Sequence, residues 1–310
     1  MNLQTKEWCR TMQFFPEGQN SLKGPYTFSQ LEYARRTGAV LESCAVAFDA
    51  QKQLIFDLGC CRGVIPYEEC ALGVREGTVR DIALLTRVGR PCAFTVTHLS
   101  DQADPVCLLS RREAQIKCRQ EYLDALSPGD VFSCLVTSLE PFGAFCDIGC
   151  GISALLPIDC MSVSRISSPA DRLHLGQTLY CVLRQRDTQG RFVLSLKELL
   201  GSWQENADCY RTGETVLGIV RSVESYGVFV ELQPNLTGLA EPTDGVYPGQ
   251  TVSVYIKSIL PEKMKVKLVI LNALEKAAAP GSLPYFITQG HLTRWNYSPE
   301  NAAKQIFTVF

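Results

Sequence analysis

The side chains in this sequence best suited to hold a ligand are two pairs of aromatic residues with identical spacing. Phe142 and Phe145 form the first pair, Tyr226 and Phe229 form the second, and a glycine directly follows the first ring of each. A flat ring exposed on a rigid strand stacks on an unpaired nucleic-acid base, which contributes about 1–3 kcal/mol per base. Rings three positions apart face opposite sides of a regular strand. The glycine must therefore bend or bulge the strand for both rings to face the same side. The alternative is that one or both rings fill a hydrophobic core.

Basic side chains that suit phosphate groups occur downstream of both pairs. They are Arg184, Arg186 and Arg191, around a turn begun by Asp187, and Lys263, Lys265 and Lys267 in a later β-type run. Alternating residues share one face of a strand, so the three lysines predict a stripe that suits a phosphate backbone. A solvated strand edge that lysines protect from aggregation explains the same pattern equally well.

The sequence offers no comparable set of residues for catalysis or for metal binding. Its 14 cysteines include no CxxC pair, and its three histidines lie far from any paired cysteines. The carboxylates are dispersed, and no glycine-rich phosphate loop is present. We therefore expect no enzyme activity, no metal and no cofactor, and we expect reduced cysteines that pack as small hydrophobic side chains in the cytoplasm.

The composition is that of a folded protein in which any polyanion must bind to a local patch. Of the 310 residues, 46% are hydrophobic and 20% are charged, which lies outside the disordered range. The net charge of −2 supplies no global positive field, so binding to nucleic acid should be modest and sensitive to salt. No apolar run reaches 18 residues, so we expect no membrane partner. Because the sequence offers no set of catalytic residues, we also expect no small-molecule substrate.

An internal repeat places both aromatic pairs in the same setting. Residues 127–157 align with 211–242 without a gap through the aromatic steps, and each copy continues into two further β-type runs, at 176–199 and 249–271. Five strands in about 70 residues, with a longer connection between the third and fourth, predict a small closed Greek-key barrel of the OB-fold type. The predicted fold class is therefore all-β, with tandem five-stranded barrels and short linker and terminal helices.

The same signals divide the chain into six segments. The last segment contains Trp295 and Tyr297, which either anchor the tail to the third barrel or add a stacking platform. Ser298 and Pro299 are typical of the start of a short helix. The segments are an N-terminal extension with a short helix (1–36), a degenerate repeat (37–111), a linker helix (112–126), two clear barrels (127–200 and 210–275) and a C-terminal tail (276–310).

The runs VTSLEPFGAFCDIGCGISALLP and LSLKE resemble the RNA-binding repeat of ribosomal protein S1. The resemblance covers residues 128–198 and 212–271 well, with 37–115 as a degenerate third copy. It implies a barrel face that binds single-stranded RNA through two aromatic rings, a histidine, and the Asp and Arg of the last hairpin. In the second repeat these positions hold Phe142, Phe145, Asp187 and Arg191, with Pro157 in place of the histidine.

The other two copies depart further from the family pattern. The third keeps Tyr226 and Phe229 and has Lys265 at the arginine position, but Glu241 replaces the histidine and Pro261 the aspartate. The first has Lys52 and Ile55, or Gln51 and Leu54, at the aromatic positions and Val106 at the arginine position, so we expect it to have lost its RNA face.

Two functions from different classes follow from these expectations. The first is binding of single-stranded RNA, such as messenger RNA, by tandem barrels associated with the ribosome or translation. The second is a scaffold that docks on a ribosome or an RNA-processing complex and has little RNA affinity of its own. The acidic balance, Pro157 and Glu241 favour the second.

Overall fold

The computed structural model describes residues 14–20, 23–100, 105–274 and 282–310. These form two compact units, of which the first comprises the described residues up to Leu126 together with Asp147–Ser153. The second comprises Ser127–Cys146 and Ala154–Phe310. The described chain is mostly β-structure arranged in three five-stranded barrels, which confirms the predicted fold class.

Barrel one is a closed sheet with the strand order β1-β2-β3-β5-β4. Helix α1 (Phe28–Thr37) precedes it, capped by the Thr27 side chain and ended at Gly38 in the left-handed conformation. A 3-10 helix (Tyr67–Glu69) and helix α2 (Asp81–Leu85) lie between its third and fourth strands. The strands are β1 (Leu41–Phe48), β2 (Leu54–Asp57), β3 (Arg62–Ile65), β4 (Pro91–Leu99) and β5 (Val106–Ser110). Helix α3 (Arg111–Glu121), capped by Ser110, follows where a linker helix is predicted.

Barrels two and three repeat this strand order. Barrel two consists of β6 (Asp130–Glu140), β7 (Gly143–Asp147), β8 (Ser153–Pro157), β9 (Thr178–Arg186) and β10 (Phe192–Ser195), and pairing of β6 with β9 closes it. Helix α4 (Trp203–Ala207) follows. Barrel three consists of β11 (Thr215–Glu224), β12 (Gly227–Gln233), β13 (Leu236–Ala240), β14 (Thr251–Leu260) and β15 (Lys265–Ala273).

Alternation along the strands explains why the barrels close. In β12, Val228 and Val230 are fully buried, while Phe229 between them points outward and is only partly buried. The β-branched and leucine side chains of all five strands meet inside barrel three. The 13 described cysteines are free thiols, and most of them are buried. No helix among the described residues is long and apolar enough to cross a membrane.

The C-terminal tail adds three short strands to the second unit. Strand β16 (Gly290–His291) pairs with β6, and β17 (Arg294–Asn296) forms a hairpin with β18 (Phe307–Val309). Trp295 and Tyr297 are buried in the core cluster of barrel three, so they anchor the tail.

The predicted terminal helix after Ser298 is wrong. Hydrogen bonds from side chains return the chain into β18 instead of forming a helical ladder. The backbone N–H of Ile306 donates to Ser298 Oγ over 2.9 Å, and Gln305 Nε2 donates to the carbonyl oxygens of Pro299 and Ala302.

Candidate nucleic-acid interface

The two aromatic pairs have the same geometry in barrels two and three. The ring centroids of Phe142 and Phe145 are 6.1 Å apart with an interplanar angle of 86°, and those of Tyr226 and Phe229 are 6.1 Å apart at 87°. Phe142 is 56% exposed and Tyr226 is 64% exposed, while the second ring of each pair is partly buried. Both rings of each pair therefore serve one outer surface.

The glycine in each aromatic step makes this arrangement possible. The first ring lies in the turn, one position before its strand, so strand alternation does not separate it from the second ring. A Cβ atom on Gly143 would collide with the carbonyl oxygen of Leu156, and one on Gly227 with that of Ala240. Only glycine lets the neighbouring strand pass this close to the turn.

In barrel three a lysine lies in line with the rings. Strand register places Phe229 opposite Leu239, and Leu239 opposite Lys267, across β12, β13 and β15. Lys265 and Lys267 are exposed on the same face of β15, whereas Lys263 lies in the 3-10 turn that precedes the strand. The stripe therefore consists of two strand lysines and one turn lysine. Because β15 lies between β13 and β14, the interpretation as a protected strand edge does not apply.

A groove of about 1020 Å³ brings these side chains together on barrel three. Three of its basic residues, Arg165, Arg221 and Lys257, were not predicted from the sequence, and Arg221 is paired with Glu231. Lys257 Nζ lies 3.7 Å from Glu241 Oε1, which offsets the acidic charge at the histidine position. In the described part of the chain, Arg165 and the three stripe lysines form no salt bridge. The lining includes Tyr226, Phe229, Arg165, Lys263, Lys265 and Lys267.

In barrel two the predicted cations are held by partners within the barrel. Arg191 Nε donates to Asp187 Oδ2 over 2.6 Å, and that carboxylate also accepts the backbone N–H groups of Gln189 and Arg191. The hydrogen bonds from Arg191 hold the pKa of Asp187 below its usual value. Arg186 lies 4.8 Å above the buried Phe192 ring, and Arg184 Nη1 lies 2.6 Å from Cys160 Sγ. Asp187 therefore shapes the turn and pairs with Arg191.

The position that corresponds to Lys267 is apolar in barrel two. Val193 pairs with Leu155 just as Lys267 pairs with Leu239 in barrel three. The hairpin turns differ as well, because Asp187 and Arg191 enclose three residues whereas the paired Leu260 and Lys265 enclose four. The ring pairs of the two barrels thus match, but their surrounding charges do not.

On barrel one the corresponding face is apolar, and a connection of the chain contacts its side. Ile55, Val64 and Leu108 occupy the row that Phe229, Leu239 and Lys267 occupy on barrel three, and Ile55 and Val64 are each only 8% exposed. The connection between β3 and β4 lies against the Lys52 side of this face. Its Asp81 carboxylate accepts from Lys52 Nζ and from the Tyr67 hydroxyl, each over 2.6 Å. The predicted loss of stacking residues is thus accompanied by this contact at Lys52, and we call the connection between β3 and β4 the cover of barrel one.

An acidic residue near the end of the second strand is buried in both barrel two and barrel three, but in opposite charge environments. Glu231 accepts from Arg172 Nη1 over 2.6 Å and from Arg221 Nε over 2.8 Å. Although burial acts in the opposite direction, these hydrogen bonds hold the pKa of Glu231 below its usual value. Asp147 accepts only backbone N–H groups, including that of Glu17 over 2.7 Å. Burial, reinforced by the Glu17 carboxylate, raises the pKa of Asp147 to about 7.

The chain is similar in sequence to known proteins. The family described as the S1 RNA binding domain matches residues 126–197. The small ribosomal subunit protein bS1 of Leuconostoc lactis is 33% identical over 240 residues, which cover 72% of this chain and 54% of that protein. The bS1 homolog of Bacillus subtilis (strain 168) is 30% identical and covers 69% of this chain and 58% of its own length.

A further bS1 protein and a solved structure are also similar to this chain. The bS1 protein of Staphylococcus saprophyticus is 30% identical over 191 residues, which cover 56% of this chain and 48% of that protein. A solved multidomain protein with nucleic acid binding domains from Streptococcus pneumoniae TIGR4 covers 76% of this chain and 73% of its own, at 13% identity and a TM-score of 0.26. A likeness at that TM-score does not bear on function. The chain spans about half the length of the bS1 relatives it matches. It thus carries an S1 RNA binding domain in its second barrel and is similar to bacterial bS1 proteins over more than half of its length.

Proposed function

We propose that this protein binds single-stranded RNA through the outer faces of barrels two and three. The observation that carries the proposal is the groove on barrel three, where Tyr226 and Phe229 lie beside lysines that have no acidic partner in the described chain. Rings that stack on bases and cations that neutralise phosphates are the two elements of sequence-tolerant recognition of single strands. The Phe142 and Phe145 pair supplies a second stacking site.

The wider setting of this activity is part of the same proposal. The bS1 relatives are named as ribosomal proteins, which supports a role in translation with messenger RNA as the strand that is bound. The matched family is named for RNA binding, and this supports a non-catalytic protein. Free buried thiols are typical of a reducing compartment, which supports a cytoplasmic location.

A titration of a labelled pyrimidine-rich RNA oligomer tests the proposal. We expect a dissociation constant of about micromolar or below at low salt, because non-specific binding to nucleic acids is about 10⁻⁴–10⁻⁶ M at physiological salt and tightens as salt falls. The affinity should fall steeply as salt rises, since each neutralised phosphate releases counterions. Absence of binding at about 50 mM salt would contradict the proposal. A DNA oligomer of the same sequence measures how far the 2′-hydroxyl contributes.

A docking role for barrel one is a second candidate, favoured by apolar side chains on its cover. Ile82 is 63% exposed, Leu85 is 46% exposed and Val88 is 40% exposed, and all three belong to the connection between β3 and β4. Clustered exposed apolar residues mark surfaces that contact other proteins. Sedimentation with purified ribosomal subunits should be lost in the Ile82→Glu/Leu85→Glu variant, while its affinity for the RNA oligomer stays unchanged.

A further inference from the structure

The segment between β8 and β9 runs from the ring pair of barrel two to the groove of barrel three. It starts at Ile158, whose backbone N–H donates to the carbonyl oxygen of Phe142 over 3.0 Å. It reaches barrel three at Ser164, whose backbone N–H donates to the carbonyl oxygen of Pro234 over 3.0 Å. The next residue, Arg165, is exposed and lines the groove. Arg165 lies seven positions after Ile158, so the two residues are at most about 25 Å apart. One short RNA strand therefore reaches both sites.

A buried amide holds the two barrels together at this point. Asn235, in the turn between β12 and β13, is fully buried. Its Oδ1 accepts from the backbone N–H of Val163 over 3.0 Å, and its Nδ2 donates to the carbonyl oxygens of Lys197 and Gly201 over 2.7 and 2.8 Å. Every one of these bonds joins barrel three to the chain of barrel two or to the residues directly after it. A buried amide with its hydrogen bonds satisfied fixes its partners in one arrangement.

Two further links fix the same arrangement. Arg172, in the segment between β8 and β9, makes both guanidinium–carboxylate bonds of a bidentate pair with Glu231, at 2.6 and 2.8 Å. The C-terminal tail contacts both barrels, because Thr308 Oγ1 donates to Glu198 Oε1 over 3.0 Å and the Tyr297 hydroxyl donates to the carbonyl oxygen of Asn235 over 2.8 Å. The two ring pairs are therefore fixed relative to each other.

We infer that barrels two and three bind one RNA strand as a single rigid body, in which Arg165 of the barrel-two segment holds a phosphate inside the groove of barrel three. The inference rests on the proposed function and specifies how that function is carried out. The strand leaves the Phe142 ring, follows residues 158–165 and enters the groove beside Arg165. The lysine stripe adds positive charge there, while Glu224 is the acidic group of the groove that has no basic partner in the described chain. Two sites fixed within one short span raise the affinity for a strand that fills both.

Calorimetric titration with oligouridine of 5 and of 15 residues tests this inference on the full chain. We expect one 15-residue strand per protein, bound at least about tenfold more tightly than the 5-residue strand, because the second site is filled intramolecularly. In Arg165→Gln the slope of log affinity against log salt should become shallower by about 0.7, which corresponds to one phosphate contact on a single strand. Arg211 is exposed and lies outside the groove lining, so Arg211→Gln is the matched control and should leave the slope unchanged.

The outcomes separate the inference from the function on which it rests. If neither oligomer binds the wild-type protein, the proposed function fails and the inference fails with it. If the 15-residue strand binds but two strands load on one protein, barrels two and three act independently and only the inference is overturned. A slope in Arg165→Gln that equals the wild-type slope overturns the assignment of Arg165 while RNA binding stands. Equal thermal unfolding of both variants and the wild type shows that the fold is unaffected.

Discussion

Barrels two and three present the same pair of rings in different charge environments. The centroid distances agree at 6.1 Å and the angles differ by one degree. Beside Phe142 and Phe145, the arginines are engaged by a carboxylate, a ring and a thiol. Beside Tyr226 and Phe229, the lysines are exposed and line an open groove. The barrel that matches the family description is thus the one whose cations are less available.

This difference shows that stacking and charge are determined by separate parts of each barrel. The ring geometry follows from four consecutive positions, one of which is the glycine that lets the next strand approach. The availability of cations depends on the last hairpin, where Asp187 already pairs with the exposed Arg191 side chain. We therefore expect barrel three to contribute more to RNA affinity than barrel two.

Removing the rings should have the largest effect. Tyr226→Ala/Phe229→Ala removes two stacking positions, worth about 2–6 kcal/mol together, and should weaken binding by at least about thirtyfold. Phe142→Ala/Phe145→Ala should weaken it less, because fewer cations support that site. Fluorescence anisotropy with a labelled oligomer measures both. A larger loss for the barrel-two variant would reverse the ranking of the two faces.

The two equivalent buried carboxylates should respond differently to neutralisation. Glu231→Gln leaves Arg172 and Arg221 without the carboxylate that neutralises them and should cost about 3–5 kcal/mol of unfolding free energy at pH 7. Because the pKa of Glu231 is lowered on folding, its contribution is present at neutral pH and is lost as pH falls below the range of a free glutamate.

Asp147→Asn provides the contrast. The pKa of Asp147 is raised to about 7, so the stability it contributes is present in acid and is lost as pH rises toward 7. At pH 8, where that contribution is gone, the substitution should cost no more than about 1 kcal/mol, the value of one lost hydrogen bond. Urea unfolding followed by tryptophan fluorescence reports on the Glu231 variant, since Trp203 and Trp295 lie in the core of barrel three, and circular dichroism reports on Asp147→Asn. Equal losses at pH 8 would contradict the difference in charge environment.

The lysine stripe of barrel three should influence the salt dependence of RNA affinity more than Arg191, the corresponding residue of barrel two. Lys265→Gln/Lys267→Gln should make the slope of log affinity against log salt shallower by about 1.4, for two phosphate contacts on a single strand. Arg191→Gln should change it by less than about 0.7, because Asp187 already pairs with that guanidinium. Titrations at four salt concentrations provide both slopes. If each substituted residue changed the slope by the same amount, the proposed electrostatic difference between the barrels would be wrong.

The smallest expected effect is a gain in barrel two. Asp187→Asn keeps an oxygen for the backbone N–H groups of Gln189 and Arg191 but removes the charge that holds the Arg191 side chain. The ion pair is exposed, so its release should improve binding by less than about fivefold. The RNA affinity should be measured in the Tyr226→Ala/Phe229→Ala background, where barrel two provides most of the binding. Weaker binding there would show that the pair itself presents Arg191 to RNA.

The sequence predicted those features that depend on neighbouring residues. The repeat, the barrels, helix α1 and the shared surface of each ring pair follow from alternation, turn residues and one glycine per step. It also predicted the loss of a stacking face on barrel one, since Ile55 stands where an aromatic ring would be required.

Features that depend on distant contacts were missed. The cover on barrel one pairs Lys52 with Asp81, and Arg165 enters a groove formed by the next barrel. No local pattern encodes either contact. The contact between Arg184 and Cys160 is of the same kind. The helix predicted after Ser298 failed because the tail has a barrel surface to bind, and that surface replaces a local helical ladder.

The pairing of strand β16 with β6 determines which contacts form last while the chain is being translated. His291 contacts Asp130 across 161 positions, whereas all strands of barrel two lie within residues 130–195. Local barrel pairings form first as a chain emerges, and contacts at such long separation form late. Until residue 290 has been made, the outer side of Val131 is open to water or to another strand. Conditions that slow translation of the last part of the chain should therefore lengthen the time in which the nascent protein is exposed to aggregation.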